Sequence, residues 1–292
     1  MMTATASRLE LQGLDALSTG APAWLNDLRK AHLTAFEQMP FPTMKQETWR
    51  RTDPERFQIP SKQLAPMQTS VSVVGSETPF AGITCVAMGE ALSSVEGKLG
   101  GIHPQAKSNY FSLLAGAALQ PALYLEAKSD TTTGSGMLKV THSIQGGGVS
   151  CPRSYLEVGA GSSVTVCQEY RTQEQELLVA PVIEIHVKAG ARLRLMIEGA
   201  WGNATAVVPS VHAKVEKDGY FQMVVVGTSA PITKYFVESD LVGEGSKSEV
   251  LGTVMGYGRQ HYDIDAQQNH RVGNTVSDVL FHIALTDRAR SI

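Results

Sequence analysis

The chain is poor in cysteine. Cys85, Cys151 and Cys167 are its only three in 292 residues, and they are widely spaced with no C-x-x-C pair. An odd, scattered set excludes a disulfide framework. It also offers no close pair for a zinc or iron–sulfur centre built from these cysteines alone. They read as small apolar fillers of strands. No apolar run approaches the roughly 18 residues of a membrane-spanning helix. Positive charge is not in surplus either: 25 Lys and Arg face 28 Asp and Glu, a net charge of −3. That excludes the basic field expected of a nucleic-acid or anionic-membrane binder. The start, MMTATASRLELQGLDALSTG, lacks a basic stretch followed by an apolar block. It is not a signal peptide, and the expected location is the cytoplasm. There is no G-x-S-x-G elbow, and the glycine runs GSGM and QGGGVS lack the Lys-Ser/Thr ending of a phosphate loop.

What is present suffices for a large core. Hydrophobic residues make up 42% and charged residues 18%, the balance of an ordinary globular chain. Residues 22–39 have helical spacing, with Trp24, Leu25, Leu28, Ala31, Ala35, Phe36 and Met39 on one stripe. Pro22 suits the helix start, and Pro40 and Pro42 end it. The polar run KQETWRRTDPERF follows, and IPSKQLAPMQTS reads as a linker. The expected organisation is therefore a helical region with linker over residues 1–66 and a β core over residues 67–292.

From residue 67 the segments are short, β-branched and alternating, with glycine between them: SVSVVG, ALYLEA, MLKVTHSI, SVTVCQEY, PVIEIHVKAG, RLRLMIEGA, GYFQMVVVGT. One interruption, PQAKSNYFSLLAGAALQP, reads as helix. The strands also repeat. VGAGSSVTV (158–166) matches VKAGARLRL (187–195) position by position. Gly161 and Gly190 are 29 apart, Gly219 follows after 29 more, and Gly245 after another 26. A turn glycine at near-constant spacing marks a β-solenoid, with a β-sandwich as the second choice.

The run GYGRQHYDIDAQQNH (256–270) holds the most concentrated set of metal-ligand types. On a strand, His261, Asp263 and Asp265 share one face, and Tyr262, Ile264 and Ala266 the other. Residues i, i+2 and i+4 span roughly 13 Å, too far for one ion to take all three. A metal site would need His261 and Asp263 with help from a neighbour such as His270 or His282. The preferred reading is an outward polar ladder. Cys167 and Glu169 share a strand face, with His186 expected on an adjacent coil, the one Cys/Glu/His grouping of interest. Trp49, Arg50, Arg51 and Arg56 lie among the acids Glu47, Asp53 and Glu55. They read as a solvated, salt-bridged face around one buried tryptophan. The alternative is a docking surface for a partner, carried by Trp49, Arg50 and Arg51.

Residues 241–292 resemble the core of the SufB/SufD family. The family pattern runs GEG, a glycine-terminated strand, Gln-His-x-Asp, His-x-x-Pro-x-Thr-x-Ser, then Ala-Arg-Ser. The chain supplies Gly243–Gly245, Gln260, His261, Asp263, His270, Thr275, Ser277 and Ala289–Ser291, with Gly273 in place of the usual proline. Phe36, Pro42, Glu47, Trp49, Arg50 and Thr52 resemble the N-terminal signature of the SufD branch, with Arg51 replacing an aromatic.

The resemblance implies a right-handed parallel β-helix after a small N-terminal helical region. It implies a non-catalytic, SufD-like scaffold subunit for iron–sulfur cluster assembly, partnered by SufB-like and SufC-like proteins. Iron or a cluster would be held only transiently in the complex, with no tightly bound cofactor in the isolated chain. The pattern breaks off within a signature at Arg290–Ile292, so the chain is expected to be C-terminally incomplete. The helices that bind SufC in the family cannot then be assigned. An open last coil would favour a homodimer. Two other classes remain: a carbohydrate-active β-helix enzyme and a homo-oligomeric structural solenoid. The enzyme needs several carboxylates on successive coils, and here only Asp263 and Asp265 group.

Overall fold

The computed structural model describes residues 11–58, 61–105, 108–227 and 229–292. It is mainly β, a β-solenoid of about six turns with a few helices near the N-terminus. Two sheets face each other. Sheet A takes seven strands in chain order: Met67–Val74, Met137–Ile144, Ser163–Thr172, Arg192–Ala200, Tyr220–Gly227, Lys247–Gly256 and Val276–Leu285. Sheet B runs through Ile83–Ala87, Gln120–Ala127, Pro152–Val158, Val182–Val187, Ser210–Val215, Ile232–Leu241 and His261–His270. Successive coils pair in parallel, so each buries its inward side chains on the next. The space between the sheets is filled by residues such as Leu156, Val166, Ile185, Leu195, Val211 and Phe221.

The recurring turn is real, and one of its members is shifted. The position two residues before each of the last five sheet A strands has a left-handed backbone: Gly161, Gly190, Asp218, Gly245 and Asn274, with φ between 55° and 76°. Asp218, not Gly219, takes the third place. Asp and Asn tolerate this conformation because a short polar side chain can bond locally.

A second repeat is carried by proline. Arg153 pairs with Val182 and Val182 with Ser210, so Pro152, Pro181 and Pro209 occupy equivalent places. Proline cannot donate to the ladder, and the sheet B strand breaks there into short pieces such as Leu177–Val179 and Thr205–Val207. In the next coil Tyr235 stands at that position, and Ile232–Leu241 runs unbroken.

The two ends differ. At the N-terminal end Met67–Val74 pairs antiparallel with Met137–Ile144, and Ile83–Ala87 with Gln120–Ala127, and these two strands close the stack. At the other end Val279 and Ile283 align with buried Val250 and Val254, yet are 45% and 48% exposed. The inward side of the last strand lies open among the described residues.

The N-terminal segment covers the outside of sheet B. Helix Ala23–Gln38 buries Leu25, Arg29, His32 and Phe36, while Ala31 of the expected stripe is exposed. Arg29 donates to Leu119 O at 2.8 and 3.2 Å and to Leu17 O at 2.6 Å, bonding backbone carbonyls at two helix ends in place of solvent. The expected second helix forms over Tyr110–Ala117, capped by Asn109. At Gly116 an added Cβ would lie 2.1 Å from the His32 ring, so the helices cross where only glycine fits. Phe36, Phe41, Trp49, Phe57 and Phe111 pack with Val149, Leu178, Val182 and Ile232 of sheet B. The stretch read as a linker is itself built in. Ala65 is buried, its N–H donates to Val149 O at 2.8 Å, and a strand begins at Met67.

Candidate functional site

The strands Ile232–Leu241 and His261–His270 pair in register, which sets Lys234 beside Asp263 on the outward face of sheet B. Tyr262 is buried, and Ile264 and Ala266 pack on the interior, as the alternation predicts. At His261 and Asp263 the outward face is not solvated, which corrects the expected polar ladder there, while Asp265 is half-buried and Gln267 exposed. His261 and Asp263 are only 5% and 6% exposed. The cover is the turn between the short helices Glu47–Trp49 and Pro54–Phe57, which lowers Thr52 onto both residues.

The resulting network is closed. Lys234 Nζ lies 2.7 Å from Asp263 Oδ2 and sits over the Trp49 and Phe236 rings at 5.3 and 5.0 Å. The Thr52 hydroxyl donates to the Asp263 carboxylate. Its single proton is then used, so His261 Nε2–H, 2.8 Å away, must be the donor to Thr52 Oγ1. Burial lowers the His261 pKa; Arg56, Arg290 and Lys234 lower it further, against the opposing pull of Asp263. His261 is therefore neutral at physiological pH. A neutral imidazole, a hydroxyl and a buried ion pair, joined by hydrogen bonds, lock the N-terminal segment onto the solenoid.

The other signature residues are also clasps. Gln260 accepts from Tyr257 N at 3.0 Å and donates to Ser229 O at 3.0 Å, bracing the turn before the strand. His270 is exposed and lies nine residues from His261 at the far end of the same strand. Its ring nitrogens meet Thr275 Oγ1 at 2.6 Å and Ser277 Oγ at 3.0 Å, across the turn carrying Asn274. At Gly243 an added Cβ would lie 2.0 Å from Lys217 N, and at Gly245, with φ +76°, 2.1 Å from Asp218 Oδ1, so neither glycine of the GEG run has room for a side chain. The structure thus separates His270 from His261 and Asp263. Among the described residues no three His, Cys, Asp or Glu side chains converge so as to hold a metal ion.

The remaining candidates separate in the same way. Cys167 and Glu169 lie on sheet A, where Glu169 meets Arg171 at 2.9 Å and Lys139 at 3.4 Å. His186 lies on sheet B and pairs with Glu216 at 2.7 Å. All three cysteines are free thiols, and burial pushes Cys85 up to about 12, so none is primed as a nucleophile. Trp49 is core, with Phe57, Phe111 and Phe236 rings 5.4–5.8 Å away. Only Arg50 and Arg51 of that trio remain on the surface, and Arg50 pairs with Glu47 at 3.3 Å.

Sequence reasoning missed the deepest charged pair. Arg153 and Glu184, 2.7 Å apart, are completely buried on the outside of sheet B. Glu184 also accepts the N–H groups of Gly100, Ile102 and His103 at 2.8–3.1 Å, tying the 97–105 loop to the sheet. Glu184 stands between Ile183 and Ile185 like any outward strand position, and Arg153 follows Pro152 at a strand start, so no local signal marks either.

No helix among the described residues is long and apolar enough to cross a membrane. No curated protein matches the chain. Residues 140–292, more than half of the chain, match the family described as SUF system FeS cluster assembly, SufBD core domain. The match covers the coils from Val140 onward, including the strands that carry Lys234, His261 and Asp263, and the chain belongs to the SufBD core-domain family of iron–sulfur cluster assembly proteins.

Proposed function

We propose that the chain is a SufD-like, non-catalytic subunit of an iron–sulfur assembly scaffold. It works by presenting β-solenoid surfaces to a SufB-like partner and, through that complex, to a SufC-like one. In this reading it acts in the cytoplasm, and iron or a cluster passes through the complex as cargo without residing on the isolated chain.

One observation carries the SufD-like assignment. The two sequence signatures, about 200 residues apart, meet in space: Thr52 of the N-terminal run bonds to His261 and Asp263 of the core run. An N-terminal signature that locks onto the family core is a built feature of the subunit. The network also supports a structural role, because Thr52, His261, Lys234 and Asp263 bond to one another across the two segments. The open inward side of Val276–Leu285 offers apolar strand surface for a neighbouring chain.

The test is co-purification of the chain with SufB-like and SufC-like proteins from the same source, reading mass and iron content on what elutes. A stoichiometric complex with the SufB-like protein is expected, with no iron on the chain alone. A folded chain that captures neither protein, or that forms only homo-oligomers, refutes the reading.

A further inference from the structure

A cavity of about 600 Å³ opens beside His261, between the N-terminal segment and the last strands. Five guanidiniums line it: Arg51 and Arg56 from the turns around Pro54–Phe57, Arg259 from the turn before His261, and Arg288 and Arg290 from the end of the solenoid. The one carboxylate on its wall is Asp53, whose Oδ1 already accepts Glu55 N at 3.1 Å as a helix cap. Among the described residues none of the five arginines has an ion-pair partner, in contrast to Arg50, Arg153, Arg171 and Arg271.

The guanidiniums are close enough to act on one another. The Arg56 pKa is lowered first by burial; Asp53 raises it, and Arg259 and Arg290 lower it. Gathering unpaired like charges around a partly enclosed space costs folding free energy, and an anion between them offsets that cost. The volume lies within the range of small-ligand sites. No Phe, Tyr or Trp ring lines the cavity, and its one ring is the His261 imidazole, already bonded to Thr52. Planar guanidiniums converging from several sides suit the oxygens of a phosphate chain, which they bind through paired, charge-assisted hydrogen bonds.

We propose that this cavity is an anion site for a di- or triphosphate group. Arg56, Arg259 and Arg290 form its centre, and Arg51 and Arg288 its rim. Such a group bridges the N-terminal segment to the last coil, beside the Thr52–His261 lock. Binding would therefore stabilise the attachment of that segment.

The experiment titrates the whole chain with inorganic pyrophosphate, tripolyphosphate, ADP, sulfate and a hexaglutamate peptide, by calorimetry and by the shift in Tm. Pyrophosphate and tripolyphosphate are expected to bind, to raise Tm, and to weaken with added salt, while sulfate binds at least tenfold more weakly. Each of Arg56→Gln, Arg259→Gln and Arg290→Gln is expected to weaken pyrophosphate about tenfold. Arg50→Gln, outside the cavity, leaves it unchanged. Without anion the three cavity variants should match or exceed the parent Tm, because each removes a repelling charge. Equal affinity for ADP and pyrophosphate assigns recognition to the phosphates alone, and tighter ADP binding adds a nucleoside to the same site. The proposal is overturned if pyrophosphate binds no better than sulfate, if the triple variant keeps its affinity, or if hexaglutamate binds more tightly than pyrophosphate, which would make the cavity a polypeptide contact.

Discussion

The outward faces of the two sheets carry similar residue types and live in different media. On sheet A, Arg192, Arg194 and Glu198 stand in solvent, and Tyr220, Gln222 and Glu249 are half-buried. On sheet B, Arg153, Glu184, Lys234 and Asp263 occupy the same kind of alternating position and are buried beneath the N-terminal layer. Alternation reports which side of a strand faces the interior. It does not report whether the other side meets water or more protein. The covered charges survive because each has a partner, and their removal should cost far more than removal of their counterparts on sheet A.

The largest expected effect is at the Arg153–Glu184 pair. Glu184→Ala leaves a buried guanidinium unpaired and frees three loop N–H groups at once. A loss of roughly 3–5 kcal/mol is expected in urea unfolding. A loss below about 1 kcal/mol would mean that water reaches the pair and that the layer does not seal this face.

Next comes the lock under Thr52. Asp263→Ala strands the Lys234 ammonium against two rings, an expected cost of about 3 kcal/mol. Thr52→Val removes a hydroxyl bonded on both sides, at about 1–2 kcal/mol. Because the two residues touch, their double mutant should cost less than the sum, and a strictly additive cycle would show that they do not share one network. Limited proteolysis provides a second readout: cleavage around residues 40–58 should rise in both variants.

The interior gives a third environment. His142 points inward, with Gln168 Oε1 at 3.1 Å on Nε2 and Thr69 Oγ1 at 3.0 Å on Nδ1. Burial lowers its pKa to about 4, below its ordinary value near 6.5. Between these values the unfolded chain binds the proton and the folded chain does not. The neutral ring's contribution is complete above about pH 6.5 and falls away as pH drops toward 4. Some 2 kcal/mol should be lost between pH 6.5 and 5. His142→Gln should flatten that slope, and an unchanged slope would assign the pH dependence elsewhere.

Much of the architecture was legible. The 29-residue spacing of Gly161 and Gly190 reports a coil that repeats in space, and the alternation at 261–266 assigns the interior side correctly. Three things were not legible, each because it depends on what lies across a gap. The Pro152, Pro181 and Pro209 column appears only once the register is known. Asp218 substitutes for glycine because the turn needs a backbone conformation, not a residue type. His261 and Asp263 looked like a surface ladder because Thr52, their cover, is about 200 residues away. The resemblance that paired the two signatures pointed to the family, but the contact between them belongs to tertiary structure alone.

The smallest expected effect is the control on sheet A. Glu249 accepts from Tyr220 Oη at 2.6 Å and Gln222 Nε2 at 2.7 Å, as many partners as Asp263 has. These hydrogen bonds hold its carboxyl below the usual range, against the opposing effect of partial burial. Its contribution is therefore present above the unfolded pKa near 4.3 and is lost as pH falls through the folded value. Solvent competes for every one of these groups, and Glu249→Gln keeps an acceptor in place. The expected loss is below about 1 kcal/mol at neutral pH, and smaller still in high salt. If Glu249→Gln instead costs as much as Asp263→Ala, hydrogen-bond number rather than the covering layer decides what an outward charge is worth, and the contrast between the two sheets is the wrong explanation of their energetics.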